Sequence, residues 1–190
     1  MNISSEQAAA ALRDIEDTQI YSRTLRAYQI GSSHLLMWGV IWVVGYTVTG
    51  LTPYAGLAWP LLIIVGVAGG IFVRRAQVAD LSATAQERWR LMLRRNALSW
   101  LVLMVFWAGV YAVMQPHTSN QYCAFPAILM GAIYAAVGVW AALPRYFWLG
   151  IGVSALTLAG YFLLAPWFAL WMAAVGGGGL ILGGLWMRKV

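Results

Sequence analysis

Six long apolar runs divide this chain, and its charged residues sit only in some of the gaps between them. The runs cover residues 33–50, 54–73, 97–114, 122–143, 146–165 and 167–187, and none contains Asp, Glu, Lys or Arg. Each is close to the roughly 20 residues a helix needs to cross a hydrocarbon core of about 30 Å. Taken in order, the gaps alternate. Those around Pro53, Pro116 and Pro166 carry no formal charge, whereas those around Arg74 and Arg145 are basic, as are both termini. All twelve Lys and Arg therefore fall on one side if the runs cross the membrane in turn. Short loops with this bias face the cytoplasm. The pattern predicts an all-α polytopic membrane protein: six transmembrane helices as three antiparallel hairpins, with N and C termini cytoplasmic.

Two segments extend this plan. Residues 1–31 read as a cytoplasmic N-terminal helix, separate from a transmembrane domain over 32–190. Ser4 and Gln7 have the spacing of a capping box. Ala8, Ala11, Leu12, Ile15 and Gln19 share one face of that helix. Three placements fit it: on the membrane surface, on the protein's own cytoplasmic loops, or against a partner. The first 30 residues carry Glu6, Asp14, Glu16 and Asp17 and lack an apolar signal core, so this start is expected to remain attached. In the longest loop, Thr84 and Glu87 predict a second helix start, which runs on into the third span.

Composition strengthens the membrane reading. The chain is 62% hydrophobic and 9% charged, against about 25% charged in ordinary soluble domains. The net charge of +6 does not point to nucleic acid, because the basic residues flank the spans. One-sided charge and multiple passes predict a bacterial cytoplasmic (inner) membrane protein. A single cysteine, Cys123, rules out an internal disulfide.

Glycine and tryptophan mark the spans. Gly66, Gly69 and Gly70 lie in span 2, Gly131 and Gly138 in span 4, and Gly176, Gly177, Gly178 and Gly179 run together in span 6. Small residues let membrane helices approach closely. The run in span 6 is expected either to pack against spans 2 and 4 or to act as a hinge. Trp59, Trp167 and Trp171 occupy outer belt positions, and Trp148 and Trp186 inner ones. Trp38, Trp42, Trp100 and Trp107 lie deeper, either as packing or as walls of an aromatic cavity. Gly45-Tyr46 and Gly160-Tyr161 stand at like positions in spans 1 and 5, with a looser Gly109-Val110-Tyr111 in span 3. This suggests repeated hairpins of the kind some transporters use.

The chemistry is sparse. Pumps and proton-coupled carriers usually keep an ionisable group inside the membrane, and no span here holds a carboxylate, Lys or Arg. No metalloprotease, serine-hydrolase, nucleotide-binding or CxxC motif is present. No catalytic residue, metal or cofactor is predicted, and the chain is not read as an enzyme. His34 lies near the inner end of span 1, and His117 and Cys123 near the outer surface, so the two histidines should not share a metal. Candidate ligand or lipid contacts are His34, Trp38, Trp42 and Trp107, with Arg74, Arg75, Arg88, Arg94, Arg95 and Arg145 beside anionic headgroups. The expected role is a non-enzymatic membrane protein that binds or regulates a partner protein or lipid. A small oligomeric transporter or channel for an uncharged or apolar solute is the alternative. Expected partners are membrane lipids, a second copy in a homodimer or other homo-oligomer, or a membrane or cytoplasmic protein, and no nucleic acid.

Overall fold

The computed structural model describes residues 5–78 and 83–189. Side chains at 5, 8, 10, 73–78, 83–86, 88, 89, 92 and 96 lie outside that description. The protein is all-α, with six helical segments long and apolar enough to cross a membrane. They are α1 (Ser5–Leu51), α2 (Ala55–Val78), α3 (Ala83–Met114), α4 (Ser119–Trp140), α5 (Pro144–Leu163) and a composite sixth span. The sixth span opens with a 3-10 turn (Ala165–Trp167). It continues as α6 (Phe168–Trp171), a π-helical stretch (Met172–Gly177) and α7 (Gly178–Arg188). The chain is a multi-pass membrane protein.

The N-terminal helix and the first span, expected as separate elements, form one unbroken helix of 47 residues. At 1.5 Å per residue it is about 70 Å long. Gly31-Ser32-Ser33 looked like a boundary, yet the helix passes through it. A glycine inside a helix costs only about 1 kcal/mol, and here it has a packing use. The hydroxyl of Tyr146 lies where a Gly31 side chain would stand. The capping residue expected at Ser4 lies outside the described residues, as does the side chain of Thr84. The expected continuity of the 84–96 region with the third span is seen in α3.

The core lies where α1 crosses the sixth span. A Cβ built on Gly39 would stand 2.9 Å from the Ile181 amide nitrogen and 3.0 Å from the Gly177 carbonyl oxygen. One on Gly177 would stand 2.7 Å from the Val43 nitrogen and 2.9 Å from the Gly39 oxygen. The two backbones touch because neither position has a side chain. Around this crossing Leu35, Tyr46, Phe168, Met172, Leu180 and Met187 are fully buried. A second close pair is α4 with α5, where Gly150 meets the backbone of Gly131 and Ala135, and Gly138 meets that of Phe147.

This arrangement corrects one expectation. Among the described residues span 6 packs mainly on α1 and α5 and lightly on α4, as expected for span 4, while its packing on α2 is negligible. The glycines of α2 do not draw it to the centre. Among the described residues α2 leans mainly on α1, and only 6% of its span is buried, against 44% for the sixth. Gly66 receives Trp38 and Ile41, and Gly69 receives Met37, all from α1. The membrane stretch of α3 is more peripheral still, with none of its described residues buried. Its ring contacts to α4 run from Tyr111 to Tyr122 and Phe125.

The glycine run divides. Gly176 and Gly177 are buried against Trp42 and Val43 of α1, whereas Gly178 and Gly179 have open space where a Cβ would be. The helix widens at this point, and the Gly178 amide donates to Ala173 O, five residues back. Such π turns keep their backbone bonds but rotate the faces of the helix on either side.

The paired glycine–tyrosine positions also have a physical content. Gly45 receives the ring of Trp59 from the following helix, and Gly160 receives that of Trp171. The Trp59 indole donates to Thr49 Oγ1 at 3.0 Å, and the Trp171 indole to Leu156 O at 2.9 Å. Both tryptophans therefore lock neighbouring segments together as well as standing at the belt. Gly109 receives nothing. The likeness joins two of the three expected hairpins and omits the third.

Candidate functional site

Two places bring together side chains that could recognise another molecule. The first is the charged end of the bundle. Ser32 and Tyr28 of α1 are buried there. Arg188 Nε donates to Ser32 Oγ at 2.9 Å, and Arg145 donates from its guanidinium to the Trp186 carbonyl at 2.6 Å. The last carbonyls of a helix have no intrahelical donor and carry partial negative charge, so a cation at this point stabilises the terminus. The Arg145 guanidinium also lies 5.5 Å from the Tyr28 ring centre and 5.1 Å from that of Trp186. Its backbone amide reaches the Tyr28 hydroxyl at 3.5 Å. Arg145 thus joins α1, α5 and α7.

Replacing Arg145 with alanine should lower stability by about 1.5 kcal/mol, the scale of one charge-assisted hydrogen bond with two partly exposed cation–π contacts. Arg145→Lys should recover less than half, because an ammonium lacks the planar face and fork. Chemical unfolding in mild detergent would measure both. An unchanged transition for Arg145→Ala would show that the clamp is idle.

Beside this clamp is a cavity of about 270 Å³ between α1, α2, α4 and α5. Gly31, Ser33, His34, Gly70, Tyr134 and Tyr146 contribute to its wall. Tyr146 stacks on Tyr28 with planes 8° apart and centres 6.2 Å apart, and its other neighbour is Tyr134 at 6.1 Å. The ring is held from two sides while part of it faces the cavity. His34 borders the space, and its ring lies 6.1 Å from that of Trp38.

Of the described residues predicted as contacts, only His34 lines this cavity. Trp38 packs on Gly66 of α2, and its indole nitrogen is buried with no hydrogen-bond partner among the described residues. Trp42 is buried edge-on to Tyr46 at 5.6 Å. Trp107 lies on α3 with its ring 5.8 Å from that of Tyr111. These tryptophans do not line a shared cavity among the described residues. Arg94 and Arg95 are exposed on α3, while Arg145 is engaged with Tyr28 and Trp186. The side chains of Arg74, Arg75 and Arg88 lie outside the described residues. Gly176 and Gly177 pack, and Gly179 instead borders a shallow groove of about 360 Å³ between α5 and α7.

Tyr134 and Tyr146 were not singled out from the sequence. A usable signal existed for Tyr146, which follows Arg145 at the basic start of span 5, whereas Tyr134 lies near the middle of span 4. No cluster of three or more His, Cys, Asp or Glu forms among the described residues.

The second place is the free length of α1. Every residue from 11 to 23 is exposed, including Leu12 at 67%, Ile15 at 54%, Ile20 at 55% and Tyr21 at 61%. Packing begins only at Thr24, Thr18 being bonded merely to its own helix through Asp14 O. The extension projects beyond the bundle without resting on any described loop.

No family model, curated protein or solved structure matches the chain.

Proposed function

We propose that this protein is a non-enzymatic, inner-membrane binding protein whose N-terminal helix docks a partner protein on the cytoplasmic side. The observation that carries this reading is the exposed stretch of α1. A single helix of this length is marginal in water unless its apolar positions are packed. Here Leu12 and Ile15 lie one turn apart with nothing from the described chain to cover them. Continuity with the span disfavours a surface-lying helix, because such a helix would need a bend near residue 30. The charges of the exposed stretch, Arg13 and Arg23 against Asp14, Glu16 and Asp17, also give anionic headgroups no net attraction for it. A partner is therefore the favoured one of the three placements considered for this segment.

The transporter alternative has less support. Neither cavity described above reaches across the bundle, since one sits at the charged end and the other is a groove on the side. The six-span, both-ends-inside topology used in this reading rests on the distribution of Lys and Arg.

The test uses full-length protein in mild detergent. Mass measurement should show it bound to a stoichiometric partner or to a second copy, above its monomer mass of 20.8 kDa. Leu12→Asp with Ile15→Asp should dissociate that assembly and leave the melting temperature of the bundle within about 2 °C, since both sites are exposed. A strictly monomeric protein with nothing co-purifying would overturn the reading.

A further inference from the structure

The cavity at the charged end has a lining that selects for a particular kind of ligand. Its described polar side chains are Ser33, His34, Tyr134 and Tyr146, and each can donate a hydrogen bond. No carboxylate, Lys or Arg is among the lining residues described. The remaining lining is apolar or glycine. Such a surface rewards an uncharged molecule with oxygen acceptors, and it holds no charge of its own to pair with an ionic one. The two tyrosines add flat faces, and Tyr146 is backed by Tyr28, which holds its ring in place.

Size and depth narrow the choice. About 270 Å³ matches the volume of roughly nine waters at about 30 Å³ each, enough for one substituted six-membered ring. The lining runs from Ala27 and Ile30, level with the Arg145 clamp, to Met37 and Gly70 inside the apolar runs, which sets the site at the inner edge of the spans, within reach of a ligand dissolved in the bilayer. Gly70 bounds the cavity from α2, and the nearest heavy atom to a Cβ there would be the methyl of Met37, at 3.8 Å. A side chain at Gly70 would therefore enter the cavity instead of colliding with a helix.

We propose that this cavity binds the head group of an isoprenoid quinone, with the ring beside Tyr146 and its carbonyl oxygens accepting from the Tyr134 and Tyr146 hydroxyls. The binding is reversible and involves no chemical step. This site is distinct from the partner surface on α1 and does not depend on it.

The experiment uses the full-length protein in detergent, with decylubiquinone as probe and equilibrium dialysis as readout. One saturable site per chain is expected above the linear partition into micelles. Gly70→Leu should abolish the saturable component. Tyr146→Phe and Tyr134→Phe should each weaken it by roughly five- to tenfold, the effect of losing one donor to a carbonyl. Leu12→Asp, on the partner surface, should leave it unchanged. Native mass spectrometry of the extracted protein should show a quinone mass that decylubiquinone displaces. Three results would overturn the proposal. One is linear partition alone, with no saturable site in the native protein. Another is saturable binding unaltered in Gly70→Leu and in both tyrosine variants. The third is a retained phospholipid that the quinone fails to displace, which would assign the same donors to ester carbonyls. If Gly70→Leu lowers the melting temperature, the tyrosine variants decide the matter, because neither adds volume.

Discussion

Alanine at Gly177 should destabilise the protein by about 2 kcal/mol, while alanine at Gly178, the next residue, should be neutral or stabilising. The added methyl at Gly177 would press on the Val43 nitrogen and the Gly39 oxygen, both closer than 3.0 Å. These are backbone atoms of a long helix and cannot rotate away. The helices would have to separate, losing dispersion contact along the crossing that the membrane does not replace by any hydrophobic gain. Gly178 has nothing within 4 Å of its missing Cβ. Alanine there would recover up to about 1 kcal/mol of helix propensity. Unfolding of the two variants side by side in one detergent is a direct comparison. Equal losses would mean that the glycine run serves backbone flexibility instead of contact.

Truncation of Tyr46 should be the most damaging change at the other end of the bundle. Tyr46→Ala should cost about 3 kcal/mol, in the range of buried aromatic truncations. Tyr46→Phe should cost about 1 kcal/mol, the usual worth of one interhelical hydrogen bond in a membrane. The ring is 2% exposed, with Trp42 and Trp59 edge-on at 5.6 and 5.0 Å. Its hydroxyl donates to Cys123 O at 3.0 Å, which ties α1 to α4. The neighbouring carbonyl explains why α4 recruits tyrosines here. Pro126 lies inside α4 and has no N–H for Tyr122 O, four residues back. Tyr111 of α3 supplies the missing donor at 2.9 Å. Tyr111→Phe should therefore matter in the native protein and much less in a Pro126→Ala background, where the helix satisfies that carbonyl itself. A double-mutant cycle with no coupling would refute this account.

Spans and loops were legible because they follow from two one-dimensional quantities: the length of apolar runs and the position of charge. The continuity of α1 was not. A change from polar to apolar composition marks where water ends, and helical hydrogen bonds take no notice of it. The packing order of the spans was also hidden. Gly66 and Gly178 look alike in sequence, yet the first receives Trp38 and Ile41 of α1 while nothing among the described residues lies where a Gly178 side chain would stand. What separates them is the partner, which no local pattern names. The capping box formed by Thr118 and Gln121 on α4 was readable from its spacing and went unremarked. The tie between Tyr46 and Cys123 spans 77 residues and could not be read from the chain alone. The candidate cavity shows the same division. His34 stood out as an isolated ionisable group, whereas Tyr134 and Tyr146 matter only because α4 and α5 press together at Gly131 and Gly150.

The length of α1 has a mechanical side. Nothing between Ser5 and Leu51 interrupts the helix, so it behaves as a single stiff rod. A sideways pull at Leu12 has no joint to absorb it. The rod is gripped first at Tyr28 and Ser32, then at Gly39 and Val43 against the widened turn of the sixth span. The first grip is the fulcrum and the second is the short arm. A load on the exposed end therefore arrives, reversed in direction and increased in force, at a place where the bundle's helical winding is already relaxed.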